Sequence, residues 1–190
     1  TGRLRWTCRI AQGQQELNLF GAPVKELAAS PPAVADGVAY ASTGIGCTAA
    51  VEVATGRLRW VASYDIQPIQ PVEYWYKAPL RFPFAAPAPA VVEGGLLLVA
   101  PPDGRYLYAY DAATGTERWR FNTIPAPGEP GGDTWPAGHF ERGGGATWIT
   151  GSYDPELNLL YWGIGNPNPD FYGGNRRGDN LYTASVVALE

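Results

Sequence analysis

Short apolar runs alternate along this chain with turns that contain glycine, proline or aspartate. Residues 38–42 (VAYAS) and 96–100 (LLLVA) each follow such a turn, and each turn follows a short segment that begins with proline. Apolar runs of this length, bounded by turn residues, predict strands that pair as hairpins. Aromatic residues make up 13% of the chain, which suits packed sheet better than helix. The pattern therefore predicts an all-β fold.

A hexapeptide repeats along the chain and sets the period of these strands. Residues 1–6 (TGRLRW) recur identically at 55–60, and a degenerate copy (TGTERW) lies at 114–119. Matching strands that contain an acidic residue, over 50–54 and 109–113, precede the second and third copies, and a similar strand over 184–190 ends at Glu190. Glycine in each Thr-Gly turn provides the positive φ that a hairpin needs. Four short strands per unit are typical of a β-propeller blade.

The whole chain, residues 1–190, is predicted to be one partial β-propeller of four-stranded antiparallel blades. We expect three blades, over 30–60, 86–121 and 143–190, preceded by residues 1–6 as the last strand of another blade. Propellers typically have four to eight blades, so these three must belong to a larger ring or associate with other copies. Unpaired strands at the two ends favour such self-association, because exposed sheet edges invite pairing.

Each copy of the hexapeptide ends in tryptophan, at Trp6, Trp60 and Trp119. A large ring at the end of each repeat is suited to fill the space between neighbouring blades. We expect these three indoles to have a structural role rather than to bind a ligand.

Charge and composition exclude several functions. The net charge is −4 and the basic residues are scattered, so a nucleic-acid interface is not expected. No apolar stretch approaches the roughly 20 residues that span a bilayer. A single histidine and two distant cysteines exclude a self-contained zinc or haem site of familiar type. Cys8 and Cys47 are either two buried free thiols or a disulfide, and the sequence leaves both possibilities open.

The third unit departs from the repeat. Residues 154–158 (DPELN) predict a turn between two strands, and this hairpin would place Trp148 and Asn166 near the same end of a sheet. Asn166 precedes a proline, which favours extended backbone. An inserted loop rich in glycine and polar residues follows, over 166–182, and Asp179 and Asn180 are interpreted as hydrogen-bonding residues that anchor it. Long loops at a blade end are where propellers often carry function.

The motifs of this unit resemble those of the pyrroloquinoline quinone (PQQ)-dependent alcohol and methanol dehydrogenases. The strong resemblance covers about half of the chain, and the first half matches the generic quinoprotein repeat. The matching motifs are GGDTWP at 131–136, GGGATW at 143–148, YDPELNLLY at 153–161, GIGNP at 163–167 and RGDNLY at 177–182.

This resemblance implies an eight-bladed propeller that binds PQQ and Ca²⁺ on its central axis. It implies that Trp148 is the floor beneath the flat quinone, that Thr147 also binds the cofactor, and that Asn166 binds both the cofactor and Ca²⁺. An aromatic platform under a planar ring contributes roughly 1–3 kcal/mol, and amide oxygens are suitable ligands of Ca²⁺. The implied activity is oxidation of a small alcohol, with electron transfer to a cytochrome, in the periplasm or outside the cell.

The chain departs from the family's pattern at several positions. Ala100 aligns with the family's glutamate ligand of Ca²⁺, and Ala146 stands where a hydroxyl residue usually contacts the cofactor. The family's pair of adjacent cysteines is absent. The catalytic aspartate is expected beyond Glu190, so these residues alone are expected to be inactive. A second interpretation is therefore a non-catalytic quinoprotein-like propeller that serves as a binding or assembly scaffold.

Overall fold

The computed structural model describes residues 2–12, 30–66, 89–101, 104, 106–140, 144–147, 150–168 and 172–190. These residues form eleven β-strands and a short 3₁₀ helix at Gly132–Thr134. The strands are β1 (Ala33–Ala35), β2 (Val38–Ser42), β3 (Cys47–Glu52), β4 (Leu58–Ser63), β5 (Val91–Glu93), β6 (Leu96–Val99), β7 (Tyr106–Asp111), β8 (Glu117–Asn122), β9 (Ser152–Asp154), β10 (Leu159–Ile164) and β11 (Ser185–Leu189).

The strands form three antiparallel sheets. Sheet 1 has the order β1-β2-β3-β4 and sheet 2 the order β5-β6-β7-β8, whereas the described part of sheet 3 has the order β11-β10-β9. The predicted all-β fold is therefore confirmed, with four-stranded antiparallel units in sheets 1 and 2. The predicted blade limits, 30–60, 86–121 and 143–190, remain a prediction, because residues 67–88 and 141–143 lie outside the described chain.

Two-residue turns join the first two strands of sheets 1 and 2. Asp36 and Gly37 have φ of 48° and 74°, and Gly94 and Gly95 have φ of 54° and 78°. Positive φ at both central residues matches the right-handed twist of the flanking strands, which explains the choice of glycine and aspartate.

Sheet 2 is packed on both faces, so its inner strands are apolar without alternation. Leu97 and Tyr108 lie in a buried cluster with Tyr40 of sheet 1. Leu98 and Leu107 lie in a second cluster, which includes Leu160, Ile164 and Trp162 of sheet 3. Neighbouring residues of one strand thus face opposite sheets, and the three sheets are held together as a stack.

The repeated tryptophans connect each unit to the next. The Trp60 indole lies against Gly115 of sheet 2 and donates its Nε1–H to the carbonyl oxygen of Ala112 at 3.0 Å. Trp6 lies in the same way against Gly56 of sheet 1, with its Nε1–H on the carbonyl oxygen of Val53 at 2.9 Å. The predicted packing between neighbouring units is confirmed for Trp60, and Trp6 makes the matching contact with sheet 1. Trp119 packs against the cluster between sheets 2 and 3.

The structure describes residues 2–12 at the N-terminal end and both cysteines. Residues 2–12 form no strand, so the role of residues 1–6 as the last strand of a preceding blade remains a prediction. Cys8 is half-buried, Cys47 is buried, and both are free thiols. Among the described residues no helix is long and apolar enough to cross a bilayer.

The acidic residues that end β3 and β7 close the turns that follow them. Thr55 and Arg57 hydrogen-bond to the Glu52 carboxylate and lower its pKa to about 2. Arg118 and Thr114 do the same for Asp111, whose pKa is also lowered to about 2. Each carboxylate therefore joins its strand to the Thr-Gly turn and to the strand beyond it.

Two stacked tyrosines between sheets 1 and 2 lead to a pH-dependent prediction. Tyr108 and Tyr110 are 1% and 2% exposed, their ring centroids are 5.6 Å apart, and neither hydroxyl has a hydrogen-bond partner in the described residues. Burial raises the pKa of Tyr108 to about 12 and raises that of Tyr110 as well. The folded state therefore disfavours the phenolate, and stability falls as pH rises above 10.

We expect Tyr108→Phe to leave the stability at pH 7 unchanged or slightly higher, because it removes an unpaired buried hydroxyl. Between pH 10 and 12 the variant should lose stability less steeply than the wild type, by up to about 1.4 kcal/mol per pH unit. Urea unfolding across this range measures both effects. Tyr172→Phe, at a 62% exposed side chain, is the control and should follow the wild type.

Candidate functional site

The hairpin of β9 and β10 leads to the segment that carries Asn166, two residues beyond the end of β10. Tyr153 pairs with Leu160, and the chain reverses between Asp154 and Leu159. The Asp154 carboxylate accepts hydrogen bonds from the backbone N–H groups of Glu156 and Leu157, at 2.9 and 3.1 Å. The turn predicted at residues 154–158 is therefore confirmed.

Two backbone segments run side by side beyond this hairpin. Gly145 donates its N–H to the carbonyl oxygen of Asn166 at 2.9 Å, and Gly165 donates to that of Ala146 at 2.8 Å. Thr147, which is half-buried, and Asn166, which is exposed, therefore lie on neighbouring segments. The Asn166 side-chain N–H also donates to the carbonyl oxygen of Pro167 at 3.4 Å. Trp148 lies outside the described residues, so its convergence with Asn166 remains a prediction.

Glycine is needed in the first of these segments because the second passes too close for a side chain. A Cβ atom at Gly144 would lie 2.6 Å from the backbone nitrogen of Asn168 and 2.8 Å from the Asn166 oxygen. A Cβ atom at Gly145 would lie 2.8 Å from Cγ1 of Ile124. Both residues also have positive φ, 100° and 59°. The glycine run thus permits the close pairing that brings Thr147 beside the Asn166 segment.

The loop that follows Asn166 is fastened to the 3₁₀ turn after sheet 2. We call this contact the clasp, formed by residues 131–135 and 178–183. Asn180 donates from its backbone N–H and from its side-chain Nδ2 to the Thr134 carbonyl oxygen, both at 3.2 Å. The Leu181 N–H donates to the Thr134 hydroxyl at 2.9 Å, and the Trp135 indole donates to the Leu181 carbonyl oxygen. The described residues of the loop contain no helix or strand of their own.

Sequence reasoning missed the partners in the clasp. It singled out Asp179 and Asn180 as loop anchors, and Asn180 does anchor the loop, but Thr134 and Trp135 were not expected to receive it. The GGDTWP motif at 131–136 was the available signal. Arg176 donates to the Asn180 Oδ1 at 3.3 Å, so it contacts an amide of the same loop.

The described residues differ in how well they fit the two cofactors that the resemblance implies. The Thr147 hydroxyl and the Asn166 amide offer donors and acceptors suited to the polar rim of a quinone. Ca²⁺ takes six to eight oxygen ligands, and among its implied ligands Asn166 has a side-chain oxygen. Ala100 is 5% exposed within the apolar cluster between sheets 2 and 3. No group of three or more His, Cys, Asp or Glu residues in the described chain could hold a metal. The described residues therefore fit the quinone and do not complete a calcium site.

Comparison with known proteins identifies the family. The family model of the PQQ glucose/ethanol/alcohol dehydrogenase β-propeller domain matches residues 94–190, half of the chain. Quinohemoprotein alcohol dehydrogenase ADH-IIG of Pseudomonas putida is 44% identical over 97 residues, which cover 44% of this chain and 14% of that protein. Quinohemoprotein alcohol dehydrogenase ADH IIB, also of Pseudomonas putida, is 32% identical over 174 residues, which cover 79% of this chain and 22% of that protein.

The fold comparison agrees with the sequence comparison. The structure of ADHIIG from Pseudomonas putida HK5 superposes with a TM-score of 0.61 at 29% identity, covering 83% of this chain and 24% of the other. The chain thus spans less than a quarter of the length of these relatives. Three stacked antiparallel sheets, their motifs and the family match lead to one conclusion: this chain belongs to the PQQ-dependent alcohol dehydrogenase family, as a segment of its β-propeller.

Proposed function

We propose that this chain supplies part of the cofactor site of a PQQ-dependent alcohol dehydrogenase. The main support is the pairing of residues 144–147 with 165–167, which places Thr147 beside the segment that carries Asn166. The family match covers this region completely. The relatives that match are quinohemoprotein alcohol dehydrogenases, so an alcohol is the proposed substrate class.

In this proposal Thr147 and Asn166 orient the quinone by hydrogen bonds at its rim, and Trp148 provides the flat surface beneath it. When bound, PQQ would supply a carbonyl carbon that accepts hydride from the alcohol. Ca²⁺ beside Asn166 is proposed from the resemblance, and its other ligands would have to come from outside the described residues. We assign no catalytic residue within this chain.

The remaining proposals concern the whole protein. We propose a small alcohol as substrate, a cytochrome as electron acceptor, and a location in the periplasm or outside the cell. Self-association through free strand edges is a further proposal, supported by β11, whose outer edge has no partner strand among the described residues. Sedimentation of the purified protein at several concentrations tests it, and a monomer throughout would contradict it.

A non-catalytic scaffold is the second candidate. Ala100 favours it, because a buried alanine replaces the oxygen ligand that the family's pattern has at this position. A propeller that retained the fold without a complete metal site would bind a partner or hold an assembly rather than oxidise alcohols.

Titration of the full-length protein with PQQ separates the two candidates. We expect binding that quenches tryptophan fluorescence, together with dye reduction in the presence of small alcohols. Asn166→Ala and Thr147→Val should each weaken PQQ binding about 3- to 10-fold, since each removes about one hydrogen bond. Thr116→Val, in the turn after β7, is the matched control and should bind as the wild type does.

Three outcomes decide the matter. Absence of PQQ binding, with or without added Ca²⁺, would exclude the dehydrogenase and leave the scaffold. Binding that Asn166→Ala and Thr147→Val do not alter would contradict the roles of these residues. Binding that chelators do not weaken would contradict the calcium proposal alone.

A further inference from the structure

The backbone around Asn166 is held from two sides. On one side its carbonyl oxygen accepts the Gly145 N–H at 2.9 Å. On the other side the carbonyl oxygen of the preceding residue, Gly165, accepts the Ala184 N–H at 2.9 Å. Ala184 lies at the return end of the long loop, directly before β11. The end of the loop is therefore hydrogen-bonded to the backbone directly beside Asn166.

Asn180 lies in the turn at the end of this loop. It is 4% exposed although its side chain is polar. Its carbonyl oxygen accepts the Thr183 hydroxyl at 2.6 Å and the Thr183 N–H at 3.0 Å. Its side chain and backbone both reach the Thr134 carbonyl oxygen, which belongs to the 3₁₀ turn after sheet 2. The tight turn 180–183 and its attachment to the 3₁₀ turn thus share one residue.

We infer that Asn180 is a positioning residue for the cofactor site, acting through Thr183 and Ala184 on the Gly165–Asn166 backbone. This inference rests on the proposed function, because Asn180 can position a cofactor site only if Thr147, Trp148 and Asn166 form one. Asn180 itself lies in the clasp and is one hydrogen-bonded turn away from the segment that it positions.

Asparagine satisfies every demand of this position. Its φ of 53° is left-handed, a conformation that asparagine tolerates better than most residues. The Nδ2–H group donates to Thr134, and the Oδ1 atom accepts from Arg176 at 3.3 Å. Aspartate would place a carboxylate oxygen against the Thr134 carbonyl oxygen. Alanine would remove the side-chain hydrogen bonds with Thr134 and Arg176. Neither replacement preserves the attachment.

The test compares Asn180→Ala with Asn158→Ala in the full-length protein. Asn158 also has a φ of 53°, so both variants impose the same backbone strain. Asn158 lies in the turn of the β9–β10 hairpin, at the opposite end of β10 from Asn166, and its Oδ1 accepts the Tyr153 hydroxyl at 2.8 Å. Thr183→Val is a milder variant that removes the hydrogen bond from the Thr183 hydroxyl to the Asn180 carbonyl oxygen. It provides the test if Asn180→Ala does not fold.

Two readouts are needed, and one does not involve the cofactor. Hydrogen exchange without PQQ should show the Ala184 and Gly145 amides exchanging at least about tenfold faster in Asn180→Ala, with the amides of sheet 1 unchanged. The PQQ dissociation constant should rise about tenfold or more in the same variant. Thr183→Val should shift both readouts in the same direction by a smaller factor, and Asn158→Ala should shift neither.

The outcomes distinguish this inference from the proposed function. A wild-type protein that does not bind PQQ defeats the proposed function, whatever the exchange data show. Wild-type binding with unchanged Ala184 and Gly145 exchange in both variants overturns the positioning role. Faster exchange throughout sheet 1 as well, or an equal loss of affinity in Asn158→Ala, would also overturn it, because the effect would then be general destabilisation.

Discussion

Replacement of Gly115 by alanine is expected to lower the free energy of unfolding by about 2–5 kcal/mol. Gly115 has a φ of 74°, a left-handed conformation that costs an alanine about 1–2 kcal/mol. The added Cβ would also lie 2.6 Å from Cδ2 and Cε3 of the Trp60 ring. The indole would have to move, and overpacking of this kind costs about 1–3 kcal/mol. Urea unfolding of the full-length protein measures the loss.

Gly37→Ala is the matched control for this prediction. Gly37 has the same φ of 74°, but nothing lies within 4 Å of the position of its Cβ. We therefore expect the backbone cost alone, about 1–2 kcal/mol. Equal losses in the two variants would show that the contact with Trp60 contributes nothing to stability. Gly56, which lies against Trp6 in the same way, should behave like Gly115.

The second large effect is expected at Trp162, in the core between sheets 2 and 3. Trp162 is 0% exposed and packs with Leu98, Leu107 and Leu160. Trp162→Ala should lower the free energy of unfolding by about 3–5 kcal/mol, because it removes a buried indole and leaves a cavity in the core. The ring also lies directly against Gly151, where an added Cβ atom would displace the indole.

Trp162→Phe separates volume from hydrogen bonding. The Trp162 Nε1–H has no hydrogen-bond partner among the described residues. Phenylalanine keeps most of the ring and removes this unpaired donor, so the loss should be clearly smaller than for alanine. A phenylalanine variant as unstable as the alanine variant would indicate a hydrogen bond at Nε1. Urea unfolding and the exchange rates of β10 amides measure both variants.

The turns could be predicted from the sequence because their chemistry is local. A Thr-Gly pair after an acidic residue needs a positive φ at the glycine, and Gly56 and Gly115 have φ of 76° and 74°. Asp36-Gly37 likewise predicts its own turn, whatever surrounds it. The repeat then supplies the strand order of sheets 1 and 2, since each hairpin joins neighbouring strands.

The starts of the inner strands were less accessible. The sequence predicts strands from Ala50 and Ala109, whereas β3 begins at Cys47 and β7 at Tyr106. Both strands are buried on two faces, so apolar and small residues follow one another without the alternation that marks a half-buried strand. Their limits are set by the neighbouring sheets, which no local pattern encodes.

Near the candidate site, the hairpin turn at residues 154–158 was predictable for the same local reason, and it leads β10 to Ile164, two residues before Asn166. The pairing of Gly145 with Asn166 joins distant backbone groups and was not predicted. The attachment of Asn180 to Thr134 joins residues 46 positions apart through a backbone oxygen. Any residue type offers such an oxygen, so the partner cannot be read from side-chain identity.

The tryptophan contacts also give the propeller a direction. The Trp60 indole extends from sheet 1 to the Thr-Gly turn of sheet 2 at Gly115, and Trp6, which precedes sheet 1, contacts the Thr-Gly turn of sheet 1 at Gly56. Sheet 1 therefore contributes Trp60 to the sheet that follows it and is contacted by Trp6 from the residues that precede it. One sheet is therefore not a self-sufficient repeat unit. A duplicated or exchanged unit retains these contacts only when a tryptophan from the unit before it packs on its Thr-Gly turn.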